Sequence, residues 1–280
     1  MELRKQLQLS LKYFGHQEGN RSLAQLFGVS VSSASRVVDR FCDAMMELAP
    51  ELVKWPTHSE QEAVAAGFAR ISGLPPLSVG AIDCRENPIQ KPLFSPESFF
   101  NRKGFHSIKI QAICDSKSRY LDVEVGWPGR SHDGRAFTHS DIYHRLENGT
   151  CIGRDFFLIG DSAYPTKKYL LAPYKDYGNL NATKRHFNRE HSRARQSIEC
   201  AFGRTVERFR RLKFLHVPKV EDAIRRCIVA CALHNFCLLH NEESFPVSPP
   251  SDNTVGYSFN IFSDDVSGSE RRDTIASCML

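Results

Sequence analysis

Apolar residues return every three or four positions through the opening segment, the period of an amphipathic helix. Leu3, Leu7, Leu11 and Phe14 mark a first helix. Asn20 is placed to cap a second that carries Leu23, Ala24, Leu26 and Phe27 and stops at Gly28. Ser30 caps a third, with Ala34, Val37, Val38, Phe41 and Met45 facing inward. Helices meeting at Gly28, with the small Ala24 in the earlier one, predict a helix-turn-helix within an all-helical domain over 1–56. Its recognition helix would open with Val31, Ser32, Ser33 and Ser35, short enough to sit against a groove. The blander alternative is a helical subdomain that touches no DNA.

Trp55, Pro56, Pro75 and Pro76 punctuate a linker over 57–79, which carries a helix from Glu60 to Ile71. The pattern then shifts. LSVGAIDC, HSIKIQAICD and YLDVEVGWPG are β-rich runs, and the last two pair as a hairpin across Asp115-Ser116-Lys117-Ser118. A helix is expected from Ser131 to Asn148, then a buried parallel strand in FFLIGD. A brief helix over Thr166–Tyr169 leads to an edge strand in LLAPY. Long helices follow over Ser192–Leu212 and Val220–His240. From Asn241 the chain turns rich in Ser, Pro and Asp and reads as a disordered acidic tail over 241–280. Three strands in a meander, a crossover helix, a parallel strand and then helices describe a mixed sheet flanked by helices. That is the order of a ribonuclease H-like domain, here over 80–240.

Composition narrows the class. Of 280 residues, 41% are hydrophobic and 25% charged, which excludes wholesale disorder, collagen and coiled coil. The sequence has no uninterrupted apolar run of the roughly 18 residues a membrane helix needs, and its opening lacks an apolar signal core. Nine cysteines without regular spacing read as reduced thiols of an intracellular protein. The net charge of +5 is unevenly spread: Lys184–Lys213 holds ten Lys or Arg against three Glu, a net of +7. A run of this kind is either a solvated helix face or a polyanion-binding stripe.

Candidate chemistry lies in the acids. Asp83 and Asp161 close the apolar runs AIDC and FFLIGD, where burying a carboxylate is costly unless it is paired or holds a cation. If these two strands lie side by side and parallel, both carboxylates emerge at one edge, and hard oxygen ligands there suit Mg²⁺ or Mn²⁺. Glu199, between Ile198 and Phe202, is expected on the packed side of its helix, with Gly203 allowing close approach to the sheet. The alternative for Glu199 is an ion pair with Arg195. Asp133 starts at the same edge, as a helix cap or as a further ligand. Phosphate-binding glycine loops and nucleophile-elbow motifs are absent. His132-Asp133 alone makes a weak metal-phosphohydrolase signal. Cys227, Cys231, His234 and Cys237 crowd one helix as core residues rather than a zinc site, while His186 and His191 read equally as phosphate contacts or as solvated side chains.

Together these blocks become specific. Asp83 in AIDC, WPGRSHDGRAF around Asp133, GDSAYP around Asp161, FNREHSRARQSIECAFG and CALHNFC resemble the PIF/Harbinger transposase superfamily in order and spacing. The likeness runs from about Leu11 to Asn241. It implies a metal-dependent, transposase-derived DNA nuclease with an Asp-Asp-Glu triad at Asp83, Asp161 and Glu199, and Asp133 as an additional ligand of a Mg²⁺ or Mn²⁺ pair. It also implies a separate Myb-like DNA-binding partner. An intracellular protein that acts on DNA is expected in the nucleus, with its small size leaving some in the cytoplasm, and self-association into a homo-oligomer stays open. The basic stripe, with Arg195, Arg204, Arg208 and Arg211, would hold DNA phosphates, and Ser32 and Ser33 would face a groove. Relatives carry more chain before the helix-turn-helix, so an N-terminal truncation is expected. They also carry Leu-Lys where this chain has Arg204-Thr205-Val206-Glu207. The competing class is a domesticated, non-catalytic DNA-binding or scaffold protein.

Overall fold

The computed structural model describes residues 1–240 and 266–279. The chain opens with α1 (Leu3–Gly15), α2 (Asn20–Phe27), α3 (Val31–Leu52) and α4 (His58–Ile71). Gly28 ends α2 in the left-handed region, at φ 59°, and Ser30 caps α3 by accepting from the Ser33 amide. Five strands follow: β1 (Ser78–Pro88), β2 (Ser107–Cys114), β3 (Tyr120–Pro128), β4 (Phe157–Ile159) and β5 (Leu170–Leu171). They form one sheet in the order β3-β2-β1-β4-β5, antiparallel on the β2 side of β1 and parallel on the β4 side. The chain between β1 and β2 carries the single turn α5 (Pro96–Phe99), and β3 is joined to β4 through α6 (Asp133–Thr138) and α7 (Asp141–Glu147). The long helices α8 (Ala182–Arg208) and α9 (Val220–Leu239) complete the domain, and α10 (Gly268–Cys278) packs back on it. No helix among the described residues is long and apolar enough to cross a membrane.

Alternation along β1 and β2 divides the apolar side chains between two layers. Ala81, Ile108, Ile110 and Ala112 join the larger cluster, filled by α1–α3, α8 and α9, whereas Ile82 and Ile113 join the smaller one with Phe137, Ile142 and Leu146 of α6 and α7. Leu9, Phe14 and Val38 share the larger cluster with Phe209, Leu212 and Ala230, so residues 1–56 are built into the same core as the sheet. Across that seam Arg226 of α9 pairs with Asp39 of α3 at 3.1 Å.

Five element boundaries differ from the sequence pattern, the first being β1, which runs past Cys84 to Pro88 in register with β2 so that Asp83 does not close it. The crossover is two short helices rather than one, because the Ser140 hydroxyl donates to the Phe137 carbonyl and then caps α7. Thr166–Tyr169 is not helical: Lys167 and Leu170 exchange backbone hydrogen bonds in a tight turn. The basic helix starts ten residues earlier than expected and stops at Arg208, with a 3₁₀ turn over Arg210–Lys213. Part of the expected disordered tail is folded. Ser267 and Glu270 form a reciprocal cap, and Arg271, Ile275 and Ala276 are buried. The rest of that tail, 241–265 and 280, lies outside the described residues.

Candidate active site

β1 places Asp83 beyond Ala81 and Ile82, at the end of its buried run. Ala81 stands opposite Ile159 of the parallel β4, so the same offset carried two residues further sets Asp161 beside Asp83. Asp83 thus lies mid-strand in β1, which runs on to Pro88 paired with β2, beside the point where β4 has ended and the chain turns at Asp161. Asp161 is turned there by the loop after β4, its Oδ1 accepting from the Ala163 amide at 2.8 Å. Burial pushes the Asp83 carboxyl up to about 6, against the opposing pull of Arg195 and a backbone hydrogen bond from Cys84, and the charges of Asp161 and Asp133 push the same way as burial.

Asp83 shares the face of the sheet that α8 covers, and α8 answers it with a cation. Arg195 Nη1 donates to Asp83 Oδ2 at 2.9 Å, and Nη2 of the same guanidinium donates to Glu199 Oε1. One fork thus ties the strand acid to the helix acid. The expected pair between Arg195 and Glu199 is present, but Glu199 is not on the packed side; its side chain is 52% exposed. The buried stripe of α8 runs through Ala194, Ser197, Ile198, Ala201 and Phe202, one step around from Glu199. Nor does Gly203 mark a close approach, since a Cβ there would meet nothing within 4 Å.

The opposite face holds a second group that the motifs did not single out. Lys109 of β2 stands across from Glu86 of β1, on the side that alternates with Asp83. Its ammonium lies 2.5 Å from Glu86 and 2.8 Å from Asp133, and its side chain is 7% exposed. Asp133 is the first residue of α6 and makes no capping bond; His132 occupies the cap position. Its role as a helix cap is thus replaced by an ion pair. A lysine inside the apolar run SIKIQAIC was the signal available, because a buried ammonium requires acids around it.

The pleat therefore splits the acids: Asp83 and Glu199 gather on Arg195, Asp133 and Glu86 on Lys109. Among the described residues no three His, Cys, Asp or Glu side chains are gathered in a way that could hold a metal ion. The donor chemistry nonetheless fits a divalent cation at Asp83 and Asp161, two hard oxygen donors carried by the neighbouring parallel strands β1 and β4, with Arg195 already paired to Asp83.

Other candidates fall elsewhere. Ser32 is exposed and Ser33 half-buried at the start of α3. Arg211 is not part of a phosphate-facing stripe: it is 6% exposed, donates to the carbonyls of Tyr13 and Glu18, and lies 4.1 Å over the Tyr13 ring. The helix ends before reaching it, so its spacing from Arg204 and Arg208 does not continue along one face. His191 is buried rather than solvated, bonded to the Leu171 carbonyl, and burial lowers its ring to about 4. Cys227 and Cys231 are core residues, as the pattern implied, and His234 bonds to the Ser118 carbonyl.

Comparison with known proteins gives a consistent answer. Residues 82–235, which include all four candidate acids, match the model of a family described as DDE superfamily endonuclease. The chain is 27% identical over 266 residues to "Protein ALP1-like" of Arabidopsis thaliana, covering 90% of this chain and 64% of that protein. It is 28% identical over 251 residues to "Putative nuclease HARBI1" of Rattus norvegicus, covering 88% of this chain and 70% of that one. The human protein of the same name is 28% identical over 236 residues, covering 82% of this chain and 66% of its own length. No solved structure matches. With more than half its length under the family model and Harbinger-derived relatives along most of the rest, the chain belongs to the DDE superfamily of endonucleases.

Proposed function

We propose that this protein is a transposase-derived nuclease that cuts DNA phosphodiester bonds with the help of a divalent cation, Mg²⁺ or Mn²⁺. One observation carries the reading: the β1–β4 register, with Ala81 opposite Ile159, carries Asp83 of β1 and Asp161 just past β4 to the same level of the sheet, inside the segment that matches the family. The strand order β3-β2-β1-β4-β5 supports a ribonuclease H-like assignment for the sheet. Asp83 and Asp161 would hold the cation, with Glu199 as the third acid and Asp133 as a further one. When bound, such a cation supplies Lewis-acid stabilisation of the phosphate and a water of lowered pKa.

The chain's own groups have distinct tasks. Arg195 fixes the carboxylates of Asp83 and Glu199 relative to each other and is a positioning residue. Lys109 holds Asp133 and Glu86 on the other face, which keeps α6 against the sheet end. Arg204 and Arg208 on α8 would neutralise phosphates beside Glu199. The α2–α3 pair, joined by a tight turn at Gly28, is read as a helix-turn-helix presenting Ser32 and Ser33 to DNA. A Myb-like partner, self-association, and residence in nucleus and cytoplasm belong to the same proposal.

A second reading, a non-catalytic DNA-binding scaffold, is favoured by the occupied state of three acids: Asp83 and Glu199 are held by Arg195 and Asp133 by Lys109. Cleavage of labelled DNA by the full chain, with Mg²⁺ or Mn²⁺ and with EDTA, separates the two. The nuclease reading expects metal-dependent nicking by the wild type, none by Asp161→Ala, and unchanged DNA affinity but no nicking for Glu199→Gln. A wild type as inert as Asp161→Ala on single-stranded and duplex DNA gives the scaffold reading the lead.

A further inference from the structure

The chain between β1 and β2 leaves the sheet at Ile89 and returns at His106, and it carries exposed aromatic and cationic side chains. Phe100 is 48% exposed, and Arg102 two residues later is exposed as well. Facing it is the turn from β3 into α6, with Trp127, Arg130, His132 and Arg135. These six residues line a cleft of about 800 Å³. A second cavity of about 570 Å³ adjoins it, sharing Phe100 and Arg130 and including Lys91 and Glu97.

The walls are fixed. The Arg130 amide donates to the Ser98 carbonyl at 3.1 Å, and the Gly129 amide donates to Ser107 at 2.9 Å. A Cβ on Gly129 would come within 2.9 Å of both the Phe99 and the Ser107 carbonyl oxygens, so only glycine lets the two segments meet this closely. Asn101 braces the turn behind them, accepting from the amides of Lys103 and Phe105 and donating to the Ser107 hydroxyl. The cations inside are uncompensated. No carboxylate pairs with Arg102, Arg130 or Arg135 among the described residues, and the Arg102 guanidinium lies instead against the His132 ring, 2.6 Å from Nε2. Three unpaired guanidinium groups beside two aromatic rings make a site for phosphates and unstacked bases together. Its location matters too, because His132 and Arg135 flank Asp133, which Lys109 ties to the sheet.

We propose that this cleft is the channel that holds one unpaired DNA strand and leads it to the acids of β1 and the β4 turn. The inference rests on the nuclease reading for its purpose but not for its test. Arg102, Arg130 and Arg135 take successive phosphates, while Phe100 and Trp127 receive bases by stacking. A duplex, whose bases are already stacked, gains only the phosphate contacts.

The test is fluorescence anisotropy with a labelled single-stranded oligonucleotide and its duplex, on the full chain, in EDTA and over a range of salt. Changing Arg102, Arg130 and Arg135 together to Gln should weaken single-strand binding at least tenfold at ~0.1 M salt, and lower the salt slope by about two, at roughly 0.7 per phosphate contact. Lysine at the three positions should restore the slope. Phe100→Ala should weaken single-strand binding about tenfold and duplex binding much less. All these side chains are exposed at the cleft, so the melting temperature should not move. An unchanged affinity and slope in the triple variant overturns the channel. Equal losses for strand and duplex in Phe100→Ala overturn the assignment to an unpaired strand. The outcomes stay separate from the nuclease reading: a wild type that binds through the cleft but never cuts upholds the channel alone, and one that cuts while the triple variant binds normally upholds the nuclease alone.

Discussion

Asp83 is held in a setting that disfavours its charge, since burial and two neighbouring acids outweigh the pull of Arg195 and leave the carboxyl at about 6. Because the native carboxyl holds its proton to higher pH than an unfolded one, the native state binds more protons across roughly pH 4–6, and stability declines as pH rises through that window. Asp83→Asn removes the charge and keeps the shape. In EDTA at pH 8 it should raise the unfolding free energy by about 2 kcal/mol, a gain that shrinks toward zero as pH falls from 6 to 4. Urea midpoints at the two pH values check this, and a variant less stable than wild type at pH 8 contradicts it. Arg211 shows the reverse relation between charge and role. It lies buried against Tyr13, with carbonyl acceptors and no phosphate-facing surface. Arg211→Ala should therefore cost about 3 kcal/mol of stability by leaving those acceptors without their donor. The salt slope of DNA binding, measured on the folded fraction, should stay as it was.

Helices account for most differences between pattern and structure. Period located α1 and α2, Gly28 stops α2 and Ser30 caps α3 as the pattern implied, because both act through local backbone geometry. Asn20, however, is the first residue of α2 and not its cap, a place taken by Gly19 with no side-chain bond. The strands were legible for a similar reason: β1 and β2 carry continuous apolar runs, and a carboxylate at the end of such a run is visible without any fold. What could not be read was rotation and extent. Nothing local reveals that the packed stripe of α8 falls one step beside Glu199, or that α8 ends at Arg208 and takes Arg211 off the expected face. The Glu86–Lys109–Asp133 group needed the β1–β2 register to become visible. α10 was missed because the acidic composition around it masked a short helix whose burial is tertiary. Its Arg271 donates to the carbonyls of Arg154, Asp155 and Lys168 and lies 5.7 Å over the Phe157 ring. Arg271→Ala should cost about 2–3 kcal/mol, and hydrogen exchange should quicken in β4 and β5 before it does in β2. Uniform protection across the sheet in that variant would show that α10 does not brace this edge.

At the scale of the whole molecule, one sheet sorts its acids by the pleat and cancels part of their charge with two internal cations. Arg195 serves the α8 face and Lys109 the α6 face. Asp83, held on one side by Arg195, and Asp161 have no cation shared between them among the described residues. Cationic side chains lie on α8 and around the cleft of Arg102, Arg130 and Arg135, and under the proposed function these would draw a polyanion toward the acids. The proposed chemistry requires Asp83 and Asp161 to form one cation site. Mn²⁺ binding read by electron paramagnetic resonance, on the folded chain without DNA, tests that directly. The wild type should take up Mn²⁺ with an affinity that falls at least tenfold in Asp83→Asn and in Asp161→Asn alike, and changes less in Asp133→Asn. Equal Mn²⁺ uptake by the wild type and by the Asp83 and Asp161 variants would contradict it.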